Sequence, residues 1–452
     1  MAVSWYRWNI SPTPHCYNPE YVLLWSVLLI IRQIGGSTQI TWIMTDNGVV
    51  RMSEQVSVSM PYGAAALTKR LSEADTRGSR DALKAEICRD LRNAIRDIEV
   101  TQELRDMAAS PSGLSLYVSG GGFRGWGYLL LHQHKISPYP IPIINGFHCT
   151  ISDFQDVETV QATAADGTSV FRISKRRAAQ VPAVAFLISC LSEALPAVHS
   201  VHFAQGGVRD GCFFSMLDSS IRAQHPLVAG TRPGCAPSSK KLFQLMQSAL
   251  PSPHRTHKVP RYVSGPLLEA LAQSMYTCAG FAKDLRAASA LRSTITGSFA
   301  SIHGLSHEDR AALAIALCER WDGLGALSPI DREFHARLMR LLDPEVAWWC
   351  MFLGRVGALV AEVYPSGTVR ETYVVLGARW VDDGKDKQKR SEISSSVLKL
   401  DVDLSEGMMD LIEAEGLQEA IDQIGKTGKK KNRSDGRGYQ VDVNLLSKHV
   451  QH

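Results

Sequence analysis

A glycine-bearing turn near the amino terminus carries the clearest chemical signal in the sequence. Gly35 and Gly36 stand next to the hydroxyl-bearing residues Ser37 and Thr38, directly ahead of a run of alternating β-branched and aromatic side chains. Because glycine leaves backbone N–H groups uncovered, such a turn can hold phosphate oxygens before the chain enters a strand. A plain polar turn between two strands has the same composition, so the motif is weak when taken alone.

Three consecutive glycines, Gly120, Gly121 and Gly122, form a second candidate turn between a predicted strand at 114–118 and a predicted helix at 126–134. Their spacing fits a dinucleotide-binding turn, but prolines interrupt the region where such a site needs an acidic residue at a strand end. It also fits the oxyanion loop of patatin-like lipases, but the sequence contains no Gly-x-Ser-x-Gly nucleophile elbow. Two interpretations stay open: a turn that binds phosphate or ribose at a helix N-terminus, and a tight turn that is only structural.

Gly206 and Gly207 form a third candidate turn, after a predicted strand and before a predicted helix at 208–217. Arg209 follows directly, and its guanidinium can bind an anion through two parallel hydrogen bonds. The alternative is an ion pair between Arg209 and Asp210 that involves no ligand. The second and third turns follow predicted strands of an α/β layer, whereas the first precedes one, and ligands of such sheets bind at strand ends.

A short basic run, residues 175–177, begins a predicted helix at 176–191. Cations are unfavourable at the positive end of a helix dipole unless an anion lies near them. A solvated basic turn is the alternative interpretation of Lys175, Arg176 and Arg177.

The order of these segments resembles that of the Ppx/GppA family of exopolyphosphatases and guanosine pentaphosphate phosphatases. The matching segments are residues 35–39, 57–64, 119–122, 172–183 and 203–211. Within the family, residues 203–211 and a helix around Trp348 and Trp349 are most similar to a fungal branch that acts in retrograde signalling from mitochondria to the nucleus. The resemblance implies an α/β fold of the actin-like ATPase superfamily, with an RNase H-like lobe, a helical HD-like domain and a small α+β carboxy-terminal region.

The resemblance also implies a site for ATP, polyphosphate or a guanosine polyphosphate, with Mg²⁺ as the counter-ion of the phosphates. The implied phosphate- or nucleotide-binding residues are Gly35, Gly36, Ser37, Thr38, Gly120, Gly121, Gly122, Gly206, Gly207 and Arg209. Arg32 stands where the family has a metal- and water-positioning aspartate, and the family's catalytic glutamate has no match here. We therefore expect a regulatory protein without hydrolytic activity. The alternatives are an active exopolyphosphatase or pppGpp phosphohydrolase, and a scaffold that binds other proteins.

Five regions are predicted along the chain. They are a divergent segment at 1–33, the Ppx/GppA-type lobe at 34–223, a linker rich in Pro, Gly and Ser at 224–239, a helical domain at 240–366, and an α+β region with a basic loop at 367–452. Upstream of Gly35 we find no match to the first lobe of the family, and Ile34 replaces a family glycine. We expect a truncated or mis-joined gene product, with a genuine short isoform as the alternative.

The predicted helical domain contains one helix that is apolar on more than one side. This helix follows Asp343-Pro344 and includes Trp348 and Trp349, so it should be the buried centre of the domain. Ser328-Pro329 and Asp343-Pro344 each place an N-cap residue before a proline in the first helical turn.

A cluster of His303, His307, Glu308 and Asp309 contains residue types that bind metals. The sequence lacks a second His-Asp set at metal-ligand spacing. Helix capping, with Ser306 as the N-cap, and solvation at the surface are therefore the predicted roles of this cluster.

Composition excludes several classes of protein. The 452 residues carry a formal charge of only +4, which gives no reason to expect nucleic acid as a partner. The most apolar window, residues 21–31, is too short for a membrane helix, which needs about 20 residues. The nine cysteines lack metal-binding spacing, so we expect buried free thiols in a cytoplasmic protein that does not bind membranes.

Overall fold

The computed structural model divides the chain into two compact units. It describes residues 25–33, 35–46, 49–54, 57–110, 113–165, 173–206, 208–254, 257–382, 396–405, 415–429, 432 and 437–446. Unit 1 comprises Met1–Arg222 with His303–Ser306, and unit 2 comprises Ala223–Ile302 with His307–His452.

Unit 1 is built on a seven-stranded sheet. Its strands are β1 (Trp25–Gln33), β2 (Thr38–Asp46), β3 (Val49–Met52), β4 (Val58–Met60), β5 (Leu114–Gly120), β6 (His148–Thr150) and β7 (Val198–Ala204). The order is β3-β2-β1-β5-β7-β6, and β4 also pairs with β2. β1 is antiparallel to β2 and parallel to β5, which is parallel to β7. An antiparallel meander extended by parallel strands is the arrangement of an RNase H-like lobe, so the predicted fold class of this unit is confirmed.

The helices of unit 1 connect these strands. They are α1 (Ala64–Glu73), α2 (Arg77–Asp97), α3 (Gln102–Ala109), α4 (Gly121–Gln133), α5 (Ile151–Gln155), α6 (Val157–Ala165), α7 (Lys175–Ala178), α8 (Val181–Ala194), α9 (Val208–Met216) and α10 (Ser219–Arg222). Side chains alternate along β1, so Leu29 and Ile31 join the large core that includes α2 and α8. Ile30 faces the other side, where it forms a small cluster with Ile43 and Tyr117.

Two stretches with helical periodicity in the sequence are each divided in the structure. The periodic stretch at 79–107 forms α2 and α3, because Glu99 adopts a left-handed backbone conformation with φ of 50° between them. The stretch at 176–191 forms α7 and α8, and Pro182 lies in the first turn of α8, where its missing N–H costs no hydrogen bond.

The predicted divergent segment at 1–33 contains a central strand of the sheet. β1 lies between β2 and β5, so the lobe begins before the predicted boundary at residue 34. The apolar run in residues 25–31 is typical of a strand that is covered on both faces, which the family comparison by motifs did not recognise. Residues 1–24 lie outside the described part of the chain, as do Asn47 and Gly48 of the predicted hairpin turn, although β2 and β3 pair antiparallel on either side of it.

Unit 2 is mainly helical and carries a small sheet. Its helices are α11 (Pro226–Thr231), α12 (Ser239–Ser248), α13 (Leu268–Ser274), α14 (Lys283–Thr296), α15 (His307–Arg320), α16 (Pro329–Met339), α17 (Pro344–Val363) and α18 (Glu415–Thr427), with shorter helical turns at Val263–Leu267, Ser298–Ser301 and Gly323–Ala326. The sheet is β10 (Gln440–Leu446), β9 (Ser396–Leu404) and β8 (Val374–Asp382), in that order. The similarity to an HD-like domain stays a prediction. The predicted linker at 224–239 is not an open tether, because it contains α11 with Leu227 and Val228 buried.

The predicted central helix, α17, lies in the core of unit 2. Trp348, Trp349 and Phe352 are completely buried. Ser328 and Asp343 cap α16 and α17 as predicted, each by accepting a hydrogen bond from a backbone N–H in the first turn. Among the described residues, α17 is also the one helix whose length and composition would suit a membrane span, and its burial in this core explains its apolar surface.

Buried charge is the main feature of α15 that the sequence did not reveal. His307, Glu308 and Asp309 are buried, so the prediction that this cluster is solvated at the surface is wrong. Arg310 is also completely buried, and its guanidinium donates to the carbonyl oxygens of Thr294, Phe299 and Ile302. These three bonds satisfy carbonyls at the ends of neighbouring helical segments.

Glu319, at the other end of α15, belongs to a buried ionic network. Its Oε2 accepts from Arg355 Nε at 2.8 Å, and Arg355 Nη1 also donates to Thr427 Oγ1 at 2.9 Å. His335 Nε2 lies 3.9 Å from Glu319 Oε1, and both side chains are almost fully buried. Burial raises the pKa of Glu319 and lowers the pKa of His335 to about 4.

The cysteines are free thiols wherever the structure describes them. Buried thiols are those of Cys88, Cys190, Cys278, Cys318 and Cys350. Cys149 and Cys212 are half-buried, and Cys235 is exposed. The prediction of burial therefore fails for Cys235, which lies in the turn between α11 and α12.

Candidate functional site

The sheet of unit 1 brings the three predicted glycine turns to one edge. β1, β5 and β7 run parallel, so their carboxyl ends coincide, and the turns that follow them are neighbours. Gln33 is in register with Gly120, and Ser119 is in register with Ala204. Since adjacent strands are about 4.8 Å apart, the three turns lie within roughly 10 Å of one another across the sheet.

The turn between β1 and β2 leaves its backbone donors open. Gly35 and Gly36 are exposed, and a Cβ placed on either would meet no atom within 4 Å. The Gly35 carbonyl accepts from the N–H groups of Ala65 and Ala66 at the start of α1. Within the described ranges, no acceptor takes the N–H groups of Gly35, Gly36 or Ser37. The turn is thus held through the Gly35 carbonyl, while its amides make no hydrogen bond with a described residue.

Thr38 has a structural role that its position in the motif did not predict. It is completely buried, and its hydroxyl donates to the Tyr62 carbonyl at 2.8 Å. The Tyr62 hydroxyl in turn donates to Asp90 at 2.5 Å on α2, and it also contacts Glu86. Burial, together with Asp90, raises the pKa of Tyr62. The Thr38 hydroxyl therefore has a structural role inside the fold, and phosphate binding by Thr38 stays a prediction.

The turn between β5 and α4 requires glycine at two positions. Gly120 has φ of 102°, and a Cβ there would lie 1.7 Å from the Gln33 carbonyl oxygen. A Cβ on Gly122 would lie 1.8 Å from Gln33 Oε1. The close approach of α4 to the end of β1 thus depends on these two residues. Gly120 caps α4 without a side-chain hydrogen bond, so the first amides of this thirteen-residue helix are available to an anion.

Two buried polar atoms at this edge were missed by sequence reasoning. Gln33 Oε1 and Ser119 Oγ are both buried and have no hydrogen-bond partner among the residues that the structure describes. The Gln33 amide nitrogen lies 3.5 Å from the Tyr62 carbonyl, which leaves only the oxygen unsatisfied. The signal in the sequence was the change from apolar to polar side chains at the last residue of a predicted strand, directly before a glycine turn.

A small pocket opens beside the first turn of α4. It is lined by Gly121, Gly122, Gly125, Trp126, Arg177, Gln180, Val181 and Val184. Arg177 is the one cation among these lining residues, and it comes from the basic run predicted at 175–177. Helix amides and a guanidinium on one small cavity form an environment that favours an anion.

The third turn is only partly described. Gly206 follows β7, and the loop is held by Asn145, whose Oδ1 accepts from Gln205 N at 3.0 Å. His303 Nδ1 lies 3.3 Å from the Gln205 carbonyl, so His303 is located at this edge of unit 1. Gly207 and the side chain of Arg209 lie outside the described residues, as does the side chain of Arg176. Lys175 is exposed.

The residues present at the edge do not fit a metal held by the protein. A hard dication needs several carboxylate or carbonyl oxygens, whereas the strand ends carry Arg32, Gln33 and Ser119. In the part of the chain that the structure describes, no group of three or more His, Cys, Asp or Glu side chains could hold a metal ion. The described residues at this edge offer no ligand set for a metal, and no chemical step is assigned to one.

Two family models match the chain, and together they follow the two units. Residues 27–220 match the Ppx/GppA phosphatase family, and residues 225–449 match the RTG2 C-terminal domain. The first match begins within β1, which agrees with the position of that strand in the sheet.

A curated relative and several solved structures are similar to the chain. Retrograde regulation protein 2 of Saccharomyces cerevisiae is 34% identical over 390 residues, which are 83% of this chain and 63% of the relative. The chain thus spans 63% of the length of that yeast protein. A Ppx/GppA phosphatase of Aquifex aeolicus is 16% identical with a TM-score of 0.30, over 42% of this chain and 58% of that one. An exopolyphosphatase of Cytophaga hutchinsonii is 15% identical with a TM-score of 0.29, over 42% and 57% of the two chains.

Proposed function

We propose that this chain, which matches the Ppx/GppA phosphatase family over residues 27–220, is a cytoplasmic regulatory protein that binds a phosphate-rich ligand without hydrolysing it. The ligand classes are ATP, polyphosphate and guanosine polyphosphates. Similarity to the yeast Retrograde regulation protein 2 supports a role in retrograde regulation, from mitochondria to the nucleus.

The observation that carries this proposal is the open set of backbone amides at the carboxyl edge of the sheet. The N–H groups of Gly35 and Gly36 have no acceptor among the described residues, and the first amides of α4 lie one strand away. Arg177 adds a cation to the pocket beside α4. Phosphate oxygens would satisfy these donors, and the helix dipole of α4 would favour their charge.

The absence of hydrolysis is proposed from the chemistry of the strand ends. Activation of a water for attack on phosphorus needs a carboxylate or another base within hydrogen-bond reach. At the end of β1 the side chains are the Arg32 guanidinium and the Gln33 amide, neither of which can take a proton at neutral pH. Mg²⁺, where it takes part, would enter with the phosphates and stay bound mainly to them.

Thermal unfolding with and without ligand tests the proposal. Inorganic polyphosphate, ATP and ppGpp are each added to the purified chain, and phosphate release is measured in the same samples. A ligand at a hundred times its Kd should stabilise the protein by about 2.7 kcal/mol. We expect stabilisation by at least one of the three, with no release of phosphate.

A pair of glycine variants localises the site. Gly36→Asp places a carboxylate in the open turn and should abolish the ligand-induced shift in Tm through repulsion of phosphate. Gly78→Asp makes the same change at a position near the start of α2 where a Cβ also meets no atom, and it should keep the shift. Release of phosphate by the wild type that is lost in Gly36→Asp would replace this proposal with the exopolyphosphatase alternative. An equal loss of the shift in both variants would remove the assigned site.

A further inference from the structure

Unit 2 contains a buried arginine that its surroundings do not satisfy. Arg320, the last residue of α15, is only 8% exposed. Its Nε is completely buried without a hydrogen-bond partner, and in the described part of the chain its guanidinium donates no hydrogen bond and lies within 4.0 Å of no carboxylate. Arg310 on the same helix is completely buried and its Nε also lacks a hydrogen-bond partner among the described residues, but its two Nη atoms donate to three carbonyl oxygens. Arg320 is therefore an exception to the rule that buried polar groups form hydrogen bonds, and this exception requires an explanation.

Aromatic rings are the immediate surroundings of Arg320. Its guanidinium lies 3.7 Å from the centre of the Trp321 ring and 5.7 Å from that of Tyr276. Arg286 on α14 lies 5.0 Å from the centre of the same Trp321 ring. Two arginines thus share one tryptophan. The rings attract the cations through their faces, but they accept none of the N–H groups in the guanidinium plane.

The two arginines form a concentrated positive charge that makes no ion pair with a described residue. Neither makes a salt bridge with a described residue, and Arg286 Nε donates only to the Phe281 carbonyl at 3.0 Å. Burial lowers the pKa of Arg320 to about 10, and Arg286 adds to that effect. Glu362 and Asp322 favour the charged form from beyond ion-pair distance. The folded protein thus retains a cation that is largely removed from water. This burial is unfavourable unless a binding partner interacts with the cation.

Exposed apolar side chains lie on the same segments as this pair of arginines. Phe281 is 50% exposed and Leu285 is 55% exposed, and both lie next to Arg286 at the start of α14. Leu324 is 44% exposed in the turn that follows Trp321 and contacts α14. We name Phe281, Leu285, Arg286, Arg320, Trp321 and Leu324 the arginine–tryptophan patch. Apolar side chains beside buried Arg and Trp are the composition of binding hot spots.

We propose that the arginine–tryptophan patch binds an acidic amphipathic peptide segment of a partner protein. A carboxylate of the peptide would accept the in-plane N–H groups of Arg320 and Arg286, and apolar side chains of the peptide would cover Phe281, Leu285 and Leu324. Charge complementarity identifies the occupant, since two guanidinium groups that make no ion pair with a described residue favour an anion. The exposed apolar side chains favour a peptide over a small inorganic anion, which would leave them in water. This surface belongs to unit 2 and is separate from the glycine turns of unit 1.

Fluorescence anisotropy with the full chain tests the assignment. The probe is a labelled amphipathic helical peptide built of leucine, phenylalanine and glutamate, and the matched probe has glutamine at every glutamate. Inorganic phosphate is added as a competitor. We expect binding of the glutamate peptide at least tenfold tighter than that of the glutamine peptide, and no displacement by phosphate at moderate concentration.

Variants connect binding to the patch. Arg286→Ala and Leu285→Ser change partly exposed side chains and should each weaken binding about tenfold or more. Arg340→Ala removes the same charge at the far end of α16, from an exposed side chain, and should leave binding unchanged. Arg320→Met separates a binding role from a structural one. We expect it to abolish binding while the Tm of the free protein stays the same or rises, because a buried cation without a partner is replaced by an apolar side chain.

Four outcomes would overturn the proposal. Equal binding of the glutamine peptide would show adhesion to the apolar side chains alone. Displacement by phosphate would identify a small-anion site instead. Binding that is insensitive to Arg286→Ala and Leu285→Ser would place the peptide elsewhere. A fall in the Tm of Arg320→Met with binding retained would make Arg320 a structural residue.

Discussion

The two units use polar groups in opposite ways. Unit 1 collects backbone amides at one edge of its sheet and leaves those of Gly35 and Gly36 without acceptors among the described residues. Unit 2 buries whole charges in its core and, in the network of Glu319 and Arg355, satisfies them internally. A recognisable sequence motif and a strongly stabilising interaction can thus lie in different parts of the molecule. We expect changes in the network of Glu319 and Arg355 to alter mainly stability, and changes at the edge of unit 1 to alter mainly ligand binding.

The largest effect should follow removal of the buried carboxylate in unit 2. Glu319→Ala leaves Arg355 charged and unpaired in the core, and breaking such a pair costs about 3–5 kcal/mol. Glu73→Ala is the matched control, because Glu73 pairs with Lys69 on the surface of α1 at 3.9 Å and should cost about 0.5 kcal/mol or less. Chemical denaturation of both variants measures the two values. Similar losses in the two would remove the contrast between buried and exposed charge.

A pH dependence should arise from His335 in the same network. Burial holds its pKa at about 4 in the folded protein, against about 6.5 in the unfolded chain. As pH falls from 6.5 to 4, His335 binds a proton in the unfolded chain but stays neutral in the folded protein. The free energy of unfolding therefore decreases, by up to about 3 kcal/mol. His335→Gln should flatten the profile of unfolding free energy against pH in that window, whereas His132→Gln on the exposed surface of α4 should not. A steep profile that persists in His335→Gln would assign the effect to other groups.

A smaller loss is expected at the glycine turn of unit 1. Gly120→Ala forces a side chain into a left-handed backbone and against the Gln33 carbonyl, which should cost about 1–3 kcal/mol and displace the end of β1. Gly121→Ala, one residue later, meets no atom and should be neutral or slightly stabilising. Thermal unfolding compares the neighbours, and ligand binding should decrease only in Gly120→Ala. Equal stability of both variants would contradict the close approach of β1 and α4.

The smallest effect should come from the serine of the first turn. Ser37→Ala removes one hydroxyl, which lies 3.4 Å from the Gln39 amide nitrogen, and should reduce ligand stabilisation by about 1 kcal/mol without lowering the Tm of the free protein. Thr38→Ala should do the reverse, because its hydroxyl donates to Tyr62 inside the fold. Melting curves with and without ligand separate these two responses.

The sequence predicted the elements that depend on local patterns. Gly35 and Gly36 at a strand end, the caps at Ser328 and Asp343, and the apolar surface of α17 were all visible as spacing and residue type. They could be predicted because each depends on residues that are close in the chain.

Features that depend on distant contacts could not be predicted. The hydrogen bond from the Thr38 hydroxyl to the Tyr62 carbonyl joins residues that are 24 positions apart in the sequence. The ion pair between Glu319 and Arg355 joins residues that are 36 positions apart. Charged residues on a helix are mostly exposed to solvent, so the burial of the cluster on α15 could not be predicted from its residue types. β1 was not predicted to belong to the lobe, because Arg32 stands where the family has an aspartate. That mismatch was given more weight than the apolar run that precedes it.

The central position of β1 has a practical consequence for work on shorter fragments. A fragment that started at the predicted boundary would lose the strand that joins β2 to β5, and it would expose two bare strand edges in place of one continuous sheet. Such a fragment should precipitate or pair with itself during expression. Fragment design for crystallisation, or for binding studies on unit 1, should therefore retain Trp25 and the residues before it.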